Sequence, residues 1–272
     1  MGSEMKAGGA LAAKFAAFMP DHQPLTEHEL AELCKLQSRT RAVRRGDDIV
    51  VQGRAYNGIF ILVDGFGLRY KVMADGKRQV LNIAVPGDLI GYPSCFFSKA
   101  LFSATAITQA VVSTVTFAEL TSVFHSFPRL AMAFFWSIAN DTAIFGEHLA
   151  NIGRRSAYER VAHFVLETST RLKVIGMAGD TAFTMPLTQE KIADVVGLSV
   201  PHVNRMLKRL REERLIDMAG SELRILDKEA LATLADFDES YLAPHPLLAA
   251  EGNFIDASGR HKGAMAKLNL LS

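Results

Sequence analysis

Apolar and polar positions follow different periods in the two halves of the chain. Between about residues 49 and 116, short runs rich in β-branched residues alternate with glycine-bearing turns. Residues 59–63 form a continuous apolar run of buried-strand length, and in residues 68–72 apolar and basic side chains alternate, which directs the basic ones into water. Asp75 and Gly76 predict a two-residue hairpin turn of type I′. Short strands at such regular spacing indicate a small antiparallel barrel or roll.

A long helical pattern follows the predicted roll. Pro128 suits the first turn of a helix, the segment to Asn151 would span about 36 Å, and Gly153 is expected to end the helix and act as a hinge. Apolar residues recur at alternating steps of four and three, which is typical of a helix that pairs with another helix. Further apolar residues flank this seam, so we expect one face to cover the chain's own roll and the seam to join a second copy. The seam residues are Ala131, Phe135, Ile138, Thr142, Phe145, Leu149 and Ile152.

The two ends of the chain are less regular. Thr26 and Glu29 have the spacing of a capping box, so we expect a short helix there to open the folded part. Residues 1–17 contain one small apolar run and no clear cleavage site, and we interpret them as a leader or a remnant of cloning. From about Tyr241 onward, prolines and glycines are frequent and periodicity is weak, which indicates a tail.

Residues 188–211 carry the most specific pattern. Thr188 and Ser199 are suited to cap two helices, and Gly197 between them supplies the positive φ of a tight turn. Ala193 is small enough to let the two helices cross closely, while apolar residues at helical spacing fill the inner faces. Residues 215–226 then have the pattern of strand, turn and strand. Together these features predict a winged helix-turn-helix.

Composition limits the partners and the chemistry. The 272 residues suffice for about two domains, and 30 basic against 29 acidic side chains give a formal charge of +1, so the whole chain has no bias toward an anionic partner. Two cysteines cannot form a multi-disulfide framework or a four-cysteine metal site within one chain, and no stretch has the length and apolarity of a membrane helix. We therefore expect a cytoplasmic protein with no metal and no membrane partner.

Basic charge is concentrated on the second helix of the motif, because residues 199–211 hold four basic side chains and no acidic one. A helix presented to the major groove reads base edges with its N-terminal part and meets phosphates with its basic residues. Arg205 is the candidate for contact with guanine, His202 and Asn204 for reaching the groove, and the helix caps for binding phosphate. The predicted DNA-contacting residues are Thr188, Gln189, Ser199, Val200, Pro201, His202, Asn204, Arg205, Lys208 and Arg209.

The order of roll, seam helix, hinge and winged helix resembles the cyclic-AMP receptor / fumarate–nitrate regulator (Crp/Fnr) family of bacterial transcription factors. The resemblance covers about residues 25–235 and is most specific in residues 187–193 and 197–205, with residues 87–91 matching the family's glycine-rich turn. It implies an α+β fold with an N-terminal antiparallel β-roll (a jelly roll like that of cyclic-nucleotide-binding domains), a long dimerisation helix and a C-terminal winged helix-turn-helix. It also implies a homodimer that regulates transcription on a two-fold symmetric operator of double-stranded DNA, with RNA polymerase as a further partner.

The resemblance sets domain limits and one base contact. We expect a β-roll sensor over residues 21–127, a dimerisation helix and hinge over 128–153, a winged helix-turn-helix over 154–236 and a tail over 237–272. The family's base-reading arginine falls on Arg205. Other base-reading positions fall on Val200 and Pro201, whose side chains differ from the family's, so the half-site sequence does not carry over.

The resemblance is weakest in the sensor. Nucleotide-binding relatives hold the ribose with a Glu and the cyclic phosphate with an Arg-Ser/Thr pair, whereas here residues 92–94 are Tyr-Pro-Ser and residues 102–105 are Phe-Ser-Ala-Thr. A buried phosphate without a cationic partner is costly, so we expect no cyclic nucleotide in the usual mode. Two cysteines are too few for the four-iron cluster of oxygen-sensing relatives. Haem ligation would be sought at His148 and Cys95, which we interpret instead as a satisfied interior histidine and a buried thiol. We expect no cofactor and leave the effector open.

A roll of this size is also the scaffold of cupin enzymes and of ligand-binding modules. A metal-dependent cupin enzyme needs histidines inside the roll, but residues 40–120 contain none and no catalytic motif is present, so we expect no enzyme. The alternative is a ligand-sensing β-roll module whose winged helix contacts protein rather than DNA, which the four basic residues disfavour. A steep fall of DNA affinity with salt would distinguish these two functions.

Overall fold

The computed structural model describes residues 8–19 and 24–243. Within them the chain has the predicted α+β architecture of antiparallel roll, long helix and winged helix-turn-helix. The strands of the roll are β1 (Thr40–Val43), β2 (Asp48–Val50), β3 (Gly58–Asp64), β4 (Gly67–Val72), β5 (Arg78–Ala84), β6 (Leu89–Ile90), β7 (Ser103–Ala106) and β8 (Ala110–Thr116).

The roll consists of two four-stranded antiparallel sheets, ordered β1-β8-β3-β6 and β2-β7-β4-β5. Residues of both sheets, among them Leu62, Ile90 and Ala104, share one buried apolar cluster. The close approach of neighbouring strands depends on Gly65, where φ is +81° and a Cβ would lie 2.4 Å from the carbonyl oxygen of Gln109. The fold therefore places a closed apolar core inside the roll.

The hairpin between β4 and β5 forms as predicted, but its turn type was predicted wrongly. Gly76 has φ +79°, whereas Asp75 does not have a positive φ, so the turn is not type I′. Instead the N–H of Met73 donates to the carbonyl of Lys77 at 2.8 Å, which encloses a three-residue loop with one left-handed residue.

The prediction that the basic residues of β4 face water is correct for Lys71 and wrong for Arg69. Lys71 is exposed, whereas Arg69 is 0% exposed. Both faces of this strand are covered, because Leu68 packs with the core of the winged helix domain and Arg69 pairs with Asp141 of the long helix.

The helices around the roll are α1 (Gly9–Phe18), α2 (Glu27–Leu36), α3 (Phe117–Ser126) and α4 (Pro128–Arg154). The predicted capping box of α2 is confirmed. The N–H of Glu29 donates to Thr26 Oγ1 at 3.2 Å, and the N–H of Thr26 donates to the Glu29 carboxylate at 2.8 Å. The interpretation of residues 1–17 as a leader is wrong for their described part, because α1 buries Leu11 and Phe15 completely.

Helix α4 has two faces of different kinds. The inner face, which packs on the chain's own roll and on the segment around Tyr241, buries Leu130, Phe134 and Ile144, and also the polar side chains Asn140 and Asp141. The predicted start at Pro128 is confirmed. The helix continues through Gly153 and ends at Arg154, where Arg155 takes an extended conformation with φ −78° and ψ 143°. The change of direction thus lies just beyond the predicted hinge residue.

The C-terminal part has the elements of a winged helix-turn-helix. They are α5 (Ala157–Val174), β9 (Ala182–Thr184), α6 (Gln189–Val196), α7 (Val200–Glu212), β10 (Ile216–Ala219), β11 (Glu222–Ile225) and α8 (Lys228–Ala235). Strand β9 was missed in the sequence, where glycines made residues 174–185 look like a turn; it pairs with β11 in a sheet ordered β10-β11-β9.

The predicted tail, residues 237–272, is described only as far as Ala243, and the rest lies outside the described residues. Its first part packs against α4 and α5. The side-chain amide of Asn140 donates to the carbonyl of Tyr241 at 2.6 Å, and the ring of Phe237 lies edge-on to His163 at 5.1 Å. This short segment therefore belongs to the folded body.

Candidate DNA-binding surface

The turn between α6 and α7 has the geometry that its residues predict. The N–H of Lys191 donates to Thr188 Oγ1 at 3.4 Å, so Thr188 caps α6. Gly197 has φ +66° and ends α6 in the left-handed conformation, and the N–H of Leu198 donates to the carbonyl of Ala193 at 3.0 Å. Ser199 occupies the N-cap position of α7, although its side chain makes no capping hydrogen bond. These contacts fix the angle at which α7 leaves the domain.

Helix α7 separates buried and exposed residues cleanly. Val203, Leu207 and Leu210 are buried in the core of the domain. Asn204, Arg205, Lys208, Arg209 and Arg211 are exposed on the outer face. A helix anchored in this way presents a basic surface of the width that a major groove admits.

The basic residues of α7 differ in the contacts that their charged groups already make within the chain. Arg209 lies over the ring of Tyr158 at 4.1 Å and donates to Glu213 at 2.7 Å, and Lys208 lies 3.5 Å from Glu212. The acidic residues that follow the predicted basic segment therefore offset part of its charge. Arg205 and Arg211 make no ion pair within residues 8–19 and 24–243. Arg205 lies nearer the N-terminus of α7, the part of a recognition helix that meets base edges, so its guanidinium is better placed to read a base.

The remaining predicted DNA-contacting residues lie around the N-termini of the two helices. Thr188, Gln189, Ser199 and Pro201 are exposed, and His202 is half-buried. Val200 is half-buried as well and packs against the core of the domain, which makes it a packing residue of the turn. Backbone N–H groups and small hydroxyls at a helix N-terminus are suited to a phosphate.

The predicted seam lies on the solvent side of α4. Phe135 is 67% exposed and Leu149 is 75% exposed, and Thr142 and Ile152 are also exposed. Ile138 and Phe145 are half-buried, with the ring of Phe145 edge-on to that of Phe102 at 6.4 Å. The seam is thus largely apolar, exposed to solvent at Phe135, Leu149 and Ile152, and partly packed on the chain's own roll at Ile138 and Phe145.

A network of buried charges that the sequence does not predict connects the roll, α4 and the winged helix domain. Arg69 Nη1 lies 2.9 Å from Asp141 Oδ2, and its Nη2 donates to the carbonyl of Leu89 at 2.9 Å. Arg171 of α5 lies 2.8 Å from Asp88 of the roll. Asp141 is the one acidic residue between Pro128 and Gly146, in the mainly apolar part of α4, and this was the available signal.

His148 and Glu167 extend this network across the junction. His148 Nδ1 lies 2.7 Å from the carbonyl of Leu81 in β5, and its Nε2 lies 3.3 Å from Glu167 of α5. Both ring nitrogens thus have partners, as the interpretation of an interior histidine requires. Burial alone would lower the pKa of His148, but the Glu167 carboxylate and the Leu81 carbonyl raise it above its usual range. Burial alone would raise the pKa of Glu167, yet His148 and Arg171 hold it at about 2.

The free energy of unfolding should fall as pH drops from about 4.5 toward 2, because the pKa of Glu167 is lowered only in the folded protein. Above pH 4.5 the carboxylate is charged in both states and its stabilisation is complete; below it the unfolded chain takes up the proton first. Urea unfolding between pH 7 and pH 3 measures this loss. A Glu167→Gln variant lacks the carboxylate, so its slope below pH 4.5 should be shallower by up to about 1.4 kcal/mol per pH unit. Equal slopes would contradict the assignment.

The two cysteines lie in different elements of the chain. Cys34 is exposed on α2, Cys95 is half-buried in the turn Tyr92–Cys95, and burial raises the pKa of the Cys95 thiol. Within the described part of the chain, no three His, Cys, Asp or Glu side chains come together as metal ligands. Among the same residues, no helix is both long and apolar enough to cross a membrane.

Known proteins share both halves of this architecture. Residues 159–234 match the family model of the Crp-like helix-turn-helix domain, and residues 40–127 match that of the cyclic nucleotide-binding domain. The nitrogen fixation regulation protein FixK of Azorhizobium caulinodans is 31% identical over 191 residues, which cover 70% of this chain and 74% of that protein. The transcriptional activator protein FnrA of Stutzerimonas stutzeri is 23% identical over 211 residues, covering 78% of this chain and 86% of that one.

A solved structure supports the fold independently. The structure of FixK2 from Bradyrhizobium japonicum superposes with a TM-score of 0.63 at 23% identity and covers 72% of this chain and 96% of that one. These relatives are transcription regulators and not enzymes, in agreement with the expectation from the sequence. The chain belongs to the Crp/Fnr family of helix-turn-helix transcription regulators.

Proposed function

We propose that this chain is a homodimeric, sequence-specific regulator that binds a two-fold symmetric DNA operator through α7 of each protomer. The observation that carries the proposal is the outer face of α7, where Arg205 is exposed and, among the described residues, makes no ion pair, while the inner face is locked into the domain core. Arg205 is the base-reading residue, because a guanidinium matches the two acceptors of guanine.

The other predicted contacts have different roles in this proposal. Asn204 and His202 lie on or beside the exposed face and reach the groove with Arg205. The residues expected to lie beside the phosphates are Lys208, Thr188, Gln189, Ser199 and Pro201. Arg209 lies there too, but its ion pair with Glu213 weakens its attraction for a phosphate. Phosphate contacts of this kind make affinity fall steeply with salt.

The dimer is supported by the two faces of α4. The inner face is buried within the chain itself, and the seam of Phe135, Ile138, Thr142, Phe145, Leu149 and Ile152 leaves large apolar side chains in water. An exposed apolar stripe on a helix is typical of an interface. Pairing two such seams places the two recognition helices on opposite sides of one symmetry axis.

The roll, in this proposal, is a sensor without the usual nucleotide ligands. Its interior is filled by apolar side chains, and the buried arginine of the roll, Arg69, already pairs with Asp141. The guanidinium of Arg69 is therefore not free to pair with a cyclic phosphate. We assign residues 21–127 to the sensor, 128–153 to dimerisation and 154–236 to DNA binding, with α1 joined to the roll. A cytoplasmic location and contact with RNA polymerase follow from this role.

Leu149→Asp should dissociate the dimer. The mutation acts twice at a two-fold seam, and each leucine contributes about 1.5–3 kcal/mol of burial, so the dimer should weaken by about 10²–10⁴-fold. Sedimentation equilibrium measures the mass, and titration with operator DNA measures the accompanying loss of affinity. Met73→Asp is the matched control, because Met73 is 50% exposed, lies in the β4–β5 hairpin loop and is not part of the seam. Equal masses for Leu149→Asp and wild type would contradict the assignment of the seam as the dimer interface. A DNA affinity that does not change with salt concentration would favour a protein partner of the winged helix over DNA.

A further inference from the structure

The buried carboxylate of Asp88 holds together three separate parts of the chain. Lys14 Nζ of α1 lies 2.9 Å from its Oδ1, and Arg171 Nη2 of α5 lies 2.8 Å from its Oδ2. The N–H of Val85 also donates to Oδ2, at 3.0 Å. Asp88 itself is in the glycine-rich turn between β5 and β6 and is 1% exposed. Because each oxygen faces a cation from a different helix, this one side chain ties α1 and the winged helix domain to the roll.

Aromatic packing also attaches α1 to α4. The ring of Phe15 is edge-on to Phe134 at 4.9 Å, and the ring of Phe18 stacks on Trp136 at 5.4 Å. Both phenylalanines are buried. Helix α1 therefore contacts the roll, α4 and α5 at once, and it sits where the DNA-binding domain meets the rest of the molecule.

The contact between α1 and the roll is close at the backbone level. Gly87 precedes Asp88 and has φ +86°, and a Cβ on it would lie 2.9 Å from the carbonyl carbon and oxygen of Ala10. A side chain at this position would have to displace α1. The roll and α1 are thus fitted to each other next to the carboxylate that both use.

We propose that α1 is a clasp that fixes the orientation of the winged helix domain on the roll and so sets the separation of the two recognition helices. This inference rests on the proposed function, since separation matters only to a dimer that engages two half-sites. A rigid junction is preorganised for one half-site spacing. A loosened junction lets each winged helix reorient, which weakens binding to that spacing and admits others.

Two substitutions open the clasp in different ways. Gly87→Ala pushes on the backbone of α1, and Lys14→Met removes the ammonium group while keeping most of the aliphatic stem. Gly46→Ala is the matched control for the first, because Gly46 has φ +92° and a Cβ there would meet nothing within 4 Å. Control and variant therefore share the backbone strain and differ in the contact with α1. If Gly87→Ala fails to fold, Lys14→Met still tests the proposal.

The experiment has two readouts on the full chain. Hydrogen exchange of the unbound protein follows the amides of α1. Binding titrations follow a symmetric duplex that the wild type selects from random DNA, together with copies whose spacer is one or two base pairs longer or shorter. Gly87→Ala and Lys14→Met should raise exchange in α1 by about tenfold or more, and Gly46→Ala should not. Wild type and control should prefer the selected spacing by about tenfold or more, and the two clasp variants by less than about threefold.

Each contrary outcome overturns a different statement. Unchanged exchange in α1 in both variants would show that these contacts do not hold the helix, which overturns the clasp. Faster hydrogen exchange in α1 together with an unchanged preference for the selected half-site spacing would show that α1 does not set the separation of the recognition helices. The proposed function would still stand in that case. Failure of the wild type to bind any duplex would overturn the proposed function, and the spacing role with it.

Discussion

Replacing Arg69 by methionine should lower the free energy of unfolding by about 3–5 kcal/mol, the cost of leaving a buried partner without its counter-charge. Arg69 is 0% exposed and lies 2.9 Å from Asp141 and 3.9 Å from Asp88. Burial alone would lower the pKa of Arg69, but the carboxylates of Asp141 and Asp88 outweigh this effect and raise the pKa above its usual value. The guanidinium therefore remains charged inside the protein. Methionine fills much of the space and leaves Asp141 to be buried without its main cation.

Chemical unfolding in urea measures this loss, and two further variants separate its causes. Lys71→Met, two residues along the same strand, removes an exposed charge and should change stability by less than about 0.5 kcal/mol. The double variant Arg69→Met with Asp141→Leu removes both charges and should recover much of the loss, because apolar replacements of a buried ion pair are often neutral. A cost below about 1 kcal/mol for Arg69→Met would contradict the role given to the network.

Arg205→Ala should cost about 1–3 kcal/mol in each half-site and flatten the preference for one base pair there. This corresponds to a loss of about 5–150-fold in affinity per half-site. The physical reason is the exposure of Arg205 on a rigidly held helix, together with the absence of an ion pair for it within the described residues. Titration of the selected operator and of its single-base variants measures both effects.

Lys208→Ala is the control for this prediction. Lys208 lies on the same face one turn later and is partly engaged by Glu212 at 3.5 Å. Its loss should weaken binding to all sequences alike and reduce the salt slope by about one unit or less. If Arg205→Ala behaved in the same uniform way, Arg205 would be a phosphate contact and not a base reader.

The elements that local chemistry determines could be predicted from the sequence. Strands β3, β4 and β5 of the roll and the two helices of the motif follow from periodicity, from caps such as Thr188 and from the left-handed residue Gly197, whose φ is +66°. Each of these features needs only a few neighbouring residues. The DNA-contacting residues placed on this frame are still predictions, and the variants above test them.

The features that the sequence did not reveal depend on contacts between distant segments. Arg69 alternates with apolar neighbours, which is typical of a residue on the solvent-exposed face of a strand. The sequence does not reveal its burial, because its partner Asp141 is 72 residues away. Helix α1 is rich in alanine and has no side-chain cap, and its single charged residue, Lys14, is buried against Asp88. Likewise, the stacking of Arg209 on Tyr158 joins α7 to α5. In each case tertiary packing overrides the local pattern.

Selection of bound duplexes from random DNA by the purified wild-type protein tests the central claim most directly. A dimer that presents α7 from each protomer should enrich an inverted repeat, with half-site centres about one helical turn, or about 10–10.5 base pairs, apart. The repeat should contain a G·C pair that the Arg205→Ala protein no longer enriches. Enrichment of no sequence, or of a single motif without two-fold symmetry, would contradict the account.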